Sequence, residues 1–554
     1  MKDLVAQWVV DALSTEYSIS GVLFVVEHPK DMSHGDFATN VALVAAKQLN
    51  KSPHEVADTL VTYLTAHKDS TVECIDVAGP GFINFTLERS VFIAGLADAT
   101  KEGWGDTILW QDKRILIEHS SPNLFKPFHI GHLMNNAVGE SMVRLARASG
   151  AQVTTLSFPS DISLGVAKAV FVLLEKYGAQ YVPTDVAVLG DAYVEGVKRY
   201  EEDEGIHTRV RHIADHLYAG KSSDEWTLFQ VCKKFNISYF EQVVARLGSH
   251  FDAYIYESEA GIIGARIVRE HTPSVFVESE GTIVYVPESE KLHTAVFINS
   301  QGNPTYEAKD IGLLDLKFEQ YHPDLSLFVT DAQQASHFAV VLDAAKKIVP
   351  EWDEKSLHRF HGRMTFKGQK MSSRLGGVPL ASEVLDAVIE EVKEKNPDIA
   401  PLAAQQVGIA ALKVAILRAQ AGKNIDFDPD TSLSFVGDSG PYLQYTAVRA
   451  ASLLAKAGDA APSITHPIPG TELLERLIAR FPETVTVAQQ EWAPHHLVSY
   501  LLELAQNFNS WYGQGKIIDD DTAATAYRLA VVAAVRQTLT KGLFLLGIDV
   551  PEKM

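Results

Sequence analysis

The sequence predicts an α/β protein whose centre is a doubly wound parallel sheet carrying a helical insertion, with a smaller α/β unit before it and an all-α bundle after it. Three observations predict this. Ile115-Leu116-Ile117 is a short apolar run suited to a buried parallel strand, and a helical pattern from about Ile130 to Ala148 leads to a second strand candidate at Gln152–Phe158. Strand, helix and strand in that order imply a right-handed crossover. From about Asp185 to Glu257 the chain turns helical and charged, with Trp226, Phe229 and Phe235 as its packing residues. From about Ser439 onward apolar residues recur at the i, i+3, i+4 spacing of bundled helices.

At 554 residues the chain is too long for one core. The expected divisions are residues 1–110, residues 111–380 with the insertion at about 165–280, and residues 381–554. In the first, Leu4–Tyr17 reads as a helix, Gly21–Glu27 as a strand and Asn40–Leu49 as a second helix. Ser52 is placed to cap a third helix that opens with Pro53. Gly79-Pro80-Gly81 makes a sharp turn between the β-type runs of Asp76–Phe85. After the insertion, strand-like runs return at Ile283–Val286, Thr294–Ile298 and Leu327–Thr330. Beyond about Pro379 the pattern reads as helical throughout.

Composition narrows the function classes. The longest apolar stretches, such as Ala169–Leu174 and Leu529–Val535, fall well short of the roughly 20 residues that span a bilayer, so no membrane partner is expected. Two cysteines, Cys74 and Cys232, build neither a disulfide framework nor a CxxC zinc site, which fits a cytoplasmic protein without a metal centre of its own. The net charge of −21 argues against nucleic-acid binding over the whole surface but leaves room for a local basic stripe.

The strongest chemical signal is His129-Ile130-Gly131-His132, where a strand gives way to a helix. Three residues apart, the two histidines share one face of the first helical turn, so their ring N–H groups and the positive helix end can face a phosphate. Gly131 leaves the backbone open to a flat ring such as adenine. Donors preorganised there stabilise the charge that builds on an α-phosphate under attack by a carboxylate. Alone, the string suits an ordinary helix decorated with histidines better than a site. Lys370-Met371-Ser372-Ser373, however, follows among glycines at 368, 376 and 377, where a lysine neutralises departing pyrophosphate and Ser372 donates to a phosphate oxygen. In this order, with a sheet pattern between them, the two strings resemble the HIGH and KMSKS signatures of class I aminoacyl-tRNA synthetases, whose catalytic domain is of the Rossmann type.

Longer strings narrow the resemblance to the arginyl branch of that family. Glu118-His119-Ser120-Ser121-Pro122-Asn123 with Lys126-Pro127 resembles its strand-to-helix segment, and Pro304-Thr305-Tyr306 with Lys309-Asp310-Ile311 its substrate-side helix entry. Ala332-Gln333-Gln334 with His337 resembles a further signature, and Gly440-Pro441-Tyr442 with Gln444-Tyr445 the junction with the anticodon-binding bundle. His34–Asn40 and Ala78–Asn84 look like its additional tRNA-contacting domain. The likeness covers nearly the whole chain and thins out at 165–250.

The resemblance implies ATP-dependent activation of L-arginine to arginyl-adenylate, then transfer to the 3′ end of tRNA(Arg). It further implies a monomer that takes Mg2+ with its ATP. ATP would meet His129, Gly131, His132, Met364, Lys370, Met371, Ser372 and Ser373, with His129, His132, Lys126 and Lys370 catalytic. Asn123 and Gln334 would hold the amino and carboxylate ends of arginine; Asn40, Phe82, Tyr445 and Trp511 would contact tRNA. The guanidinium constrains its own pocket as well. Five planar donors and a fixed charge call for carboxylates, and Glu118 and Asp310 stand where doubly wound folds bind ligands, with Tyr306 one turn away to wall the alkyl stem.

Three positions depart from the family pattern: Ser373 replaces the second signature lysine, Met134 an arginine, and Ser160–Gly165 carries Ser163 where the family has a glycine. Lys126 is placed to supply the missing charge. Two alternatives stay open at this point: a class I synthetase for another amino acid, and a catalytically impaired tRNA-binding paralogue. In the bundle, Tyr442, Gln444, Tyr445, Phe508, Trp511 and Tyr512 are candidates for base stacking, but as a group they suit the bundle core better.

Overall fold

The computed structural model describes residues 1–29, 31–126, 128–220, 222–366 and 380–554. It divides into two compact units, one of residues 1–101, 459–479 and 517–534, the other of residues 102–458, 480–516 and 535–554.

The first unit holds α1 (Lys2–Tyr17), β1 (Val26–Glu27), β2 (Phe37–Thr39), α2 (Val41–Leu49), α3 (Pro53–His67), β3 (Val72–Ala78), β4 (Phe82–Leu87) and α4 (Arg89–Asp98). Its four strands form an antiparallel sheet in the order β1-β2-β4-β3. The strand read at Gly21–Glu27 shrinks to Val26 and Glu27, because the N–H of Val25 donates to Asn40 Oδ1 at 3.0 Å instead of to a neighbouring strand. Ser52 caps α3 as its sequence implies, accepting from the N–H of Glu55 at 3.2 Å. Asp36 is buried for structural reasons: it accepts from the N–H of Leu87 at 2.7 Å and pairs with Arg476 at 2.7 Å. Glu475 is fully buried and takes Arg89 and the Tyr527 hydroxyl, each at 2.7 Å.

The second unit is built on β5 (Arg114–Glu118), α5 (Ile130–Arg147) and β6 (Gln152–Ser157), the crossover expected from sequence. The insertion follows as α6 (Leu164–Tyr177), α7 (Val186–Glu202), α8 (Glu204–Ala219) and α9 (Asp224–Arg246), with Phe229 in its core. Then come β7 (Ala253–Tyr254), α10 (Glu257–Glu270), a three-stranded sheet of β8 (Val277–Ser279), β9 (Thr282–Tyr285) and β10 (Ala295–Ile298), and α11 (Tyr306–Tyr321). The chain re-enters the main sheet as β11 (Leu325–Asp331), passes through α12 (Ala335–Ile348) and adds β12 (Ser356–His361).

All five strands of that sheet are parallel, in the order β12-β11-β5-β6-β7. The order reverses between β5 and β11, and ligands of doubly wound sheets bind at the carboxyl ends of strands flanking such a reversal. Ile115, Ile117, Leu327 and Val329 from the strands pack on Met142 and Val143 of α5. On the substrate side α10 and α11 cross in near backbone contact. A Cβ on Gly264 would fall 1.7 Å from the Ala308 carbonyl oxygen, and one on Gly312 1.9 Å from that of Ala260.

One expectation fails after Pro379. β13 (Met364–Phe366) and β14 (Ile425–Phe427) form a parallel pair, so that region is not helical throughout. Ile425-Asp426-Phe427 is too short to show a local period, and its partner lies far back in the sequence. Helices nonetheless dominate it, among them Ala381–Lys395, Pro401–Leu417, Gly440–Lys456, Phe481–Gln490 and His495–Tyr512. Lys413 is fully buried there and donates to the carbonyl oxygens of Leu247 and Gly547, each at 2.6 Å. No helix among the described residues is long and apolar enough to cross a membrane.

Candidate active site

The two histidines together cap the head of one helix, α5. His129 is the N-cap of α5, and its Nδ1 accepts from the N–H of Gly131 at 3.1 Å; His132 Nδ1 accepts from the N–H of His129 at 3.1 Å. An accepting Nδ1 carries no proton, so each neutral ring keeps its hydrogen on Nε2. Burial holds the His132 ring well down, to about 3, and lowers that of His129 too, with Lys126 adding to the effect. The pair therefore presents two uncharged N–H donors at the positive end of a helix. A Cβ on Gly131 would stand 2.9 Å from His129 Cε1, so glycine here admits the capping ring itself.

Asn135, one turn after His132, is a positioning residue that the sequence reading missed. Its Oδ1 accepts from the N–H of Ser120 at 2.6 Å and its Nδ2 donates to the Val329 carbonyl at 2.7 Å, tying the ends of β5 and β11 together. Its i+3 spacing from His132 was the available signal. The chain that follows the lysine signature returns to the same place: Leu380 bridges His129, and the N–H of Ala381 donates to the Phe128 carbonyl at 2.7 Å. Met364, buried in β13, precedes that segment. Lys370, Met371, Ser372 and Ser373 themselves lie outside the described residues.

Glu118 and Asp310 share the wall of a small cavity with Lys317, Phe328 and Phe338. Both acids already have partners. Lys317, nearly fully buried, pairs with Glu118, and His337 donates to Asp310 at 2.6 Å. Glu307 lies 3.5 Å from the other nitrogen of His337. Three carboxylates thus face two cations, which leaves one negative charge for a guanidinium to neutralise. Tyr306 starts α11 as a residue 59% exposed, its ring 5.1 Å from the Lys309 ammonium, and Lys309 is itself closed in a buried pair with Glu257 at 2.6 Å.

Gln334 is exposed in the turn before α12, three residues ahead of His337. Asn123 bridges Ser160 at the far side of β5, and no described contact joins either amide to Glu118 or Asp310. Lys126 is exposed, its ammonium 5.0 Å over the Tyr193 ring. In the first unit Asn40 is engaged by Val25, and Phe82 is half-buried at the start of β4. In the bundle Phe508 and Gln444 are core, Gln444 donating to the Asp549 carbonyl at 2.6 Å. Tyr445 lies 4.6 Å from the Arg449 guanidinium, and Trp511 is half-buried.

The family model described as tRNA synthetases class I (R), catalytic domain, matches residues 99–428. The chain belongs to the class I arginyl-tRNA synthetase family. The arginyl-tRNA synthetase N-terminal domain and the DALR anticodon binding domain match residues 1–87 and 443–554. An arginine–tRNA ligase of Alkaliphilus metalliredigens is 30% identical over 552 residues, 96% of each chain, and one of an Exiguobacterium species is 29% identical over 554 residues, 98% of each. The Thermus thermophilus arginyl-tRNA synthetase structure aligns over all of both chains with a TM-score of 0.81 at 26% identity.

Against the arginyl-tRNA synthetase pattern, the two described departures are structurally satisfied. Met134 is a buried face of α5, 1% exposed. Ser163 caps α6 by accepting from the N–H of Val166 at 3.2 Å, beside a buried Asp161 paired with Lys233 at 2.7 Å.

Proposed function

We infer that this chain activates L-arginine with ATP and then esterifies the 3′-terminal ribose of tRNA(Arg). The arginine carboxylate attacks the α-phosphorus, pyrophosphate leaves, and a ribose hydroxyl of the tRNA then displaces AMP from the adenylate carbonyl. The observation that carries this reading is the histidine pair at the head of α5, fixed with both Nε2–H groups free to donate to the α-phosphate. Catalysis by positioning and charge neutralisation needs no covalent enzyme intermediate.

Glu118 and Asp310 bind the guanidinium in this scheme, Tyr306 covers the alkyl stem, and Asn123 and Gln334 hold the two ends of the amino acid. The surplus carboxylate at His337 and Lys317 supports arginine over uncharged substrates. Lys126 and Lys370 neutralise the phosphates; the parts assigned to Lys370–Ser373 rest on sequence. Magnesium arrives with the triphosphate, since the donors at the head of α5 are nitrogens, which suit that ion poorly. Asn40, Phe82, Tyr445 and Trp511 contact tRNA. The active form is a monomer, and two free cysteines suit the reducing cytoplasm. The test is aminoacylation of a total tRNA pool with each labelled amino acid in turn. Arginine alone should be incorporated; charging by a different amino acid, or by none, would overturn the assignment.

A further inference from the structure

The helical insertion carries a constellation that the aminoacylation chemistry does not use. His212 and His216 lie one turn apart on α8, their ring centroids 4.0 Å from each other. Glu225, in the first turn of α9, brings a carboxylate oxygen 3.6 Å from His216 Nδ1. One ligand atom from each of the three falls within 4.8 Å of the others.

The separation of 3.6 Å is too long for a hydrogen bond and is close to the span of two ligands on a shared ion. Two donors on a tetrahedral zinc, each about 2.0–2.1 Å from it, stand roughly 3.4 Å apart. His216 Nδ1 is moreover buried without a hydrogen-bond partner, an unmet polar atom of the kind native structures seldom leave. His212 is exposed and Glu225 half-buried, so a solvent molecule can complete the coordination.

We propose that His212, His216 and Glu225 bind one divalent transition metal of the zinc class, clipping the end of α8 to the start of α9. Two imidazoles and a single carboxylate select borderline cations over Mg2+ and Ca2+, which prefer oxygen ligands. Coordination uses neutral imidazoles, so protons compete with the metal for the same nitrogens.

The full chain, stripped of metal with a chelator, is titrated with Zn2+ by calorimetry and with Co2+ by visible absorption. The expected result is one equivalent that excess Mg2+ does not displace, weakened at least about tenfold by His216→Ala and by Glu225→Gln. His212→Gln, at an exposed position, gives a second variant that leaves packing untouched. Failure of the wild type to take up either ion would overturn the site. So would uptake by a folded His212→Gln/His216→Ala chain equal in stoichiometry and affinity to the wild type, since that metal would be held by other histidines.

Discussion

His337 donates from Nε2 to Asp310 at 2.6 Å while its Nδ1 lies 3.5 Å from Glu307, so one imidazole bridges two acids in the first turns of α11. Burial opposes charging this ring, yet its hydrogen bonds to Asp310 and Glu307 outweigh that cost and hold its pKa up at about 10. A folded-state value above the unfolded 6.5 stabilises the protein fully below pH 6.5, and that contribution is lost as pH rises through 10. Chemical denaturation of wild type and His337→Gln across this range checks it. The stability gap should be constant in acid and shrink steadily from neutrality upward; a gap independent of pH would contradict the pairing.

Removing a capping histidine should damage chemistry far more than fold. His132→Ala should lower ATP–pyrophosphate exchange by about 10²–10³-fold, the usual effect of losing one transition-state donor. The accompanying loss of the cap on His129 should cost only about 1 kcal/mol. Exchange kinetics beside a melting curve separate the two.

Lys317 and Glu118 are expected to be strongly coupled. Lys317→Met leaves the Glu118 carboxylate buried without its cation and should destabilise the protein by about 3–5 kcal/mol, with Glu118→Gln recovering part of that loss in the double variant. A double-mutant cycle in urea measures the coupling, and additive effects would mean that the pair contributes nothing.

Lys126→Ala should lower the exchange rate, and it should also raise the pKa of His129, which the lysine holds down together with burial. A pH–rate profile of the variant is expected to move its acid limb upward. Unchanged activity and profile would remove Lys126 from the site.

Gly312→Ala drives a methyl group into the Ala260 carbonyl. Overpacking of this kind costs about 1–3 kcal/mol, and here the helix shift displaces Asp310 two residues away. The Tm should fall and the KM for arginine rise together; a raised KM at unchanged Tm would place the effect in the pocket alone.

What was legible in the sequence follows from how locally each feature is encoded. The β5–α5–β6 crossover announced itself because Ile115–Ile117 and the α5 period are contiguous signals, and Ser52 before Pro53 marked a helix start. The pair of histidines could be read as a site only through its companion string, since two histidines on a helix are unremarkable by themselves. Partnerships at long range were not visible: nothing near Glu118 reveals that Lys317 will neutralise it, and nothing in Ile425–Phe427 reveals a strand whose mate is Met364–Phe366. Asn135 went unread for the same reason, because half of its meaning lies in a strand end 194 residues further along the chain.

The ammonium of Lys413 has a consequence for synthesis. Besides its bond to Leu247 it needs the Gly547 carbonyl, and the adjoining Leu545 and Phe544 carbonyls accept from Ser141 and Arg144 on α5. As the chain leaves the ribosome, the helix that bears the reactive histidines therefore lacks part of its packing, and one interior charge lacks an acceptor, until these late residues emerge. Stalling translation before Phe544 should leave a nascent chain with its nucleotide fold laid down but open to protease at α5.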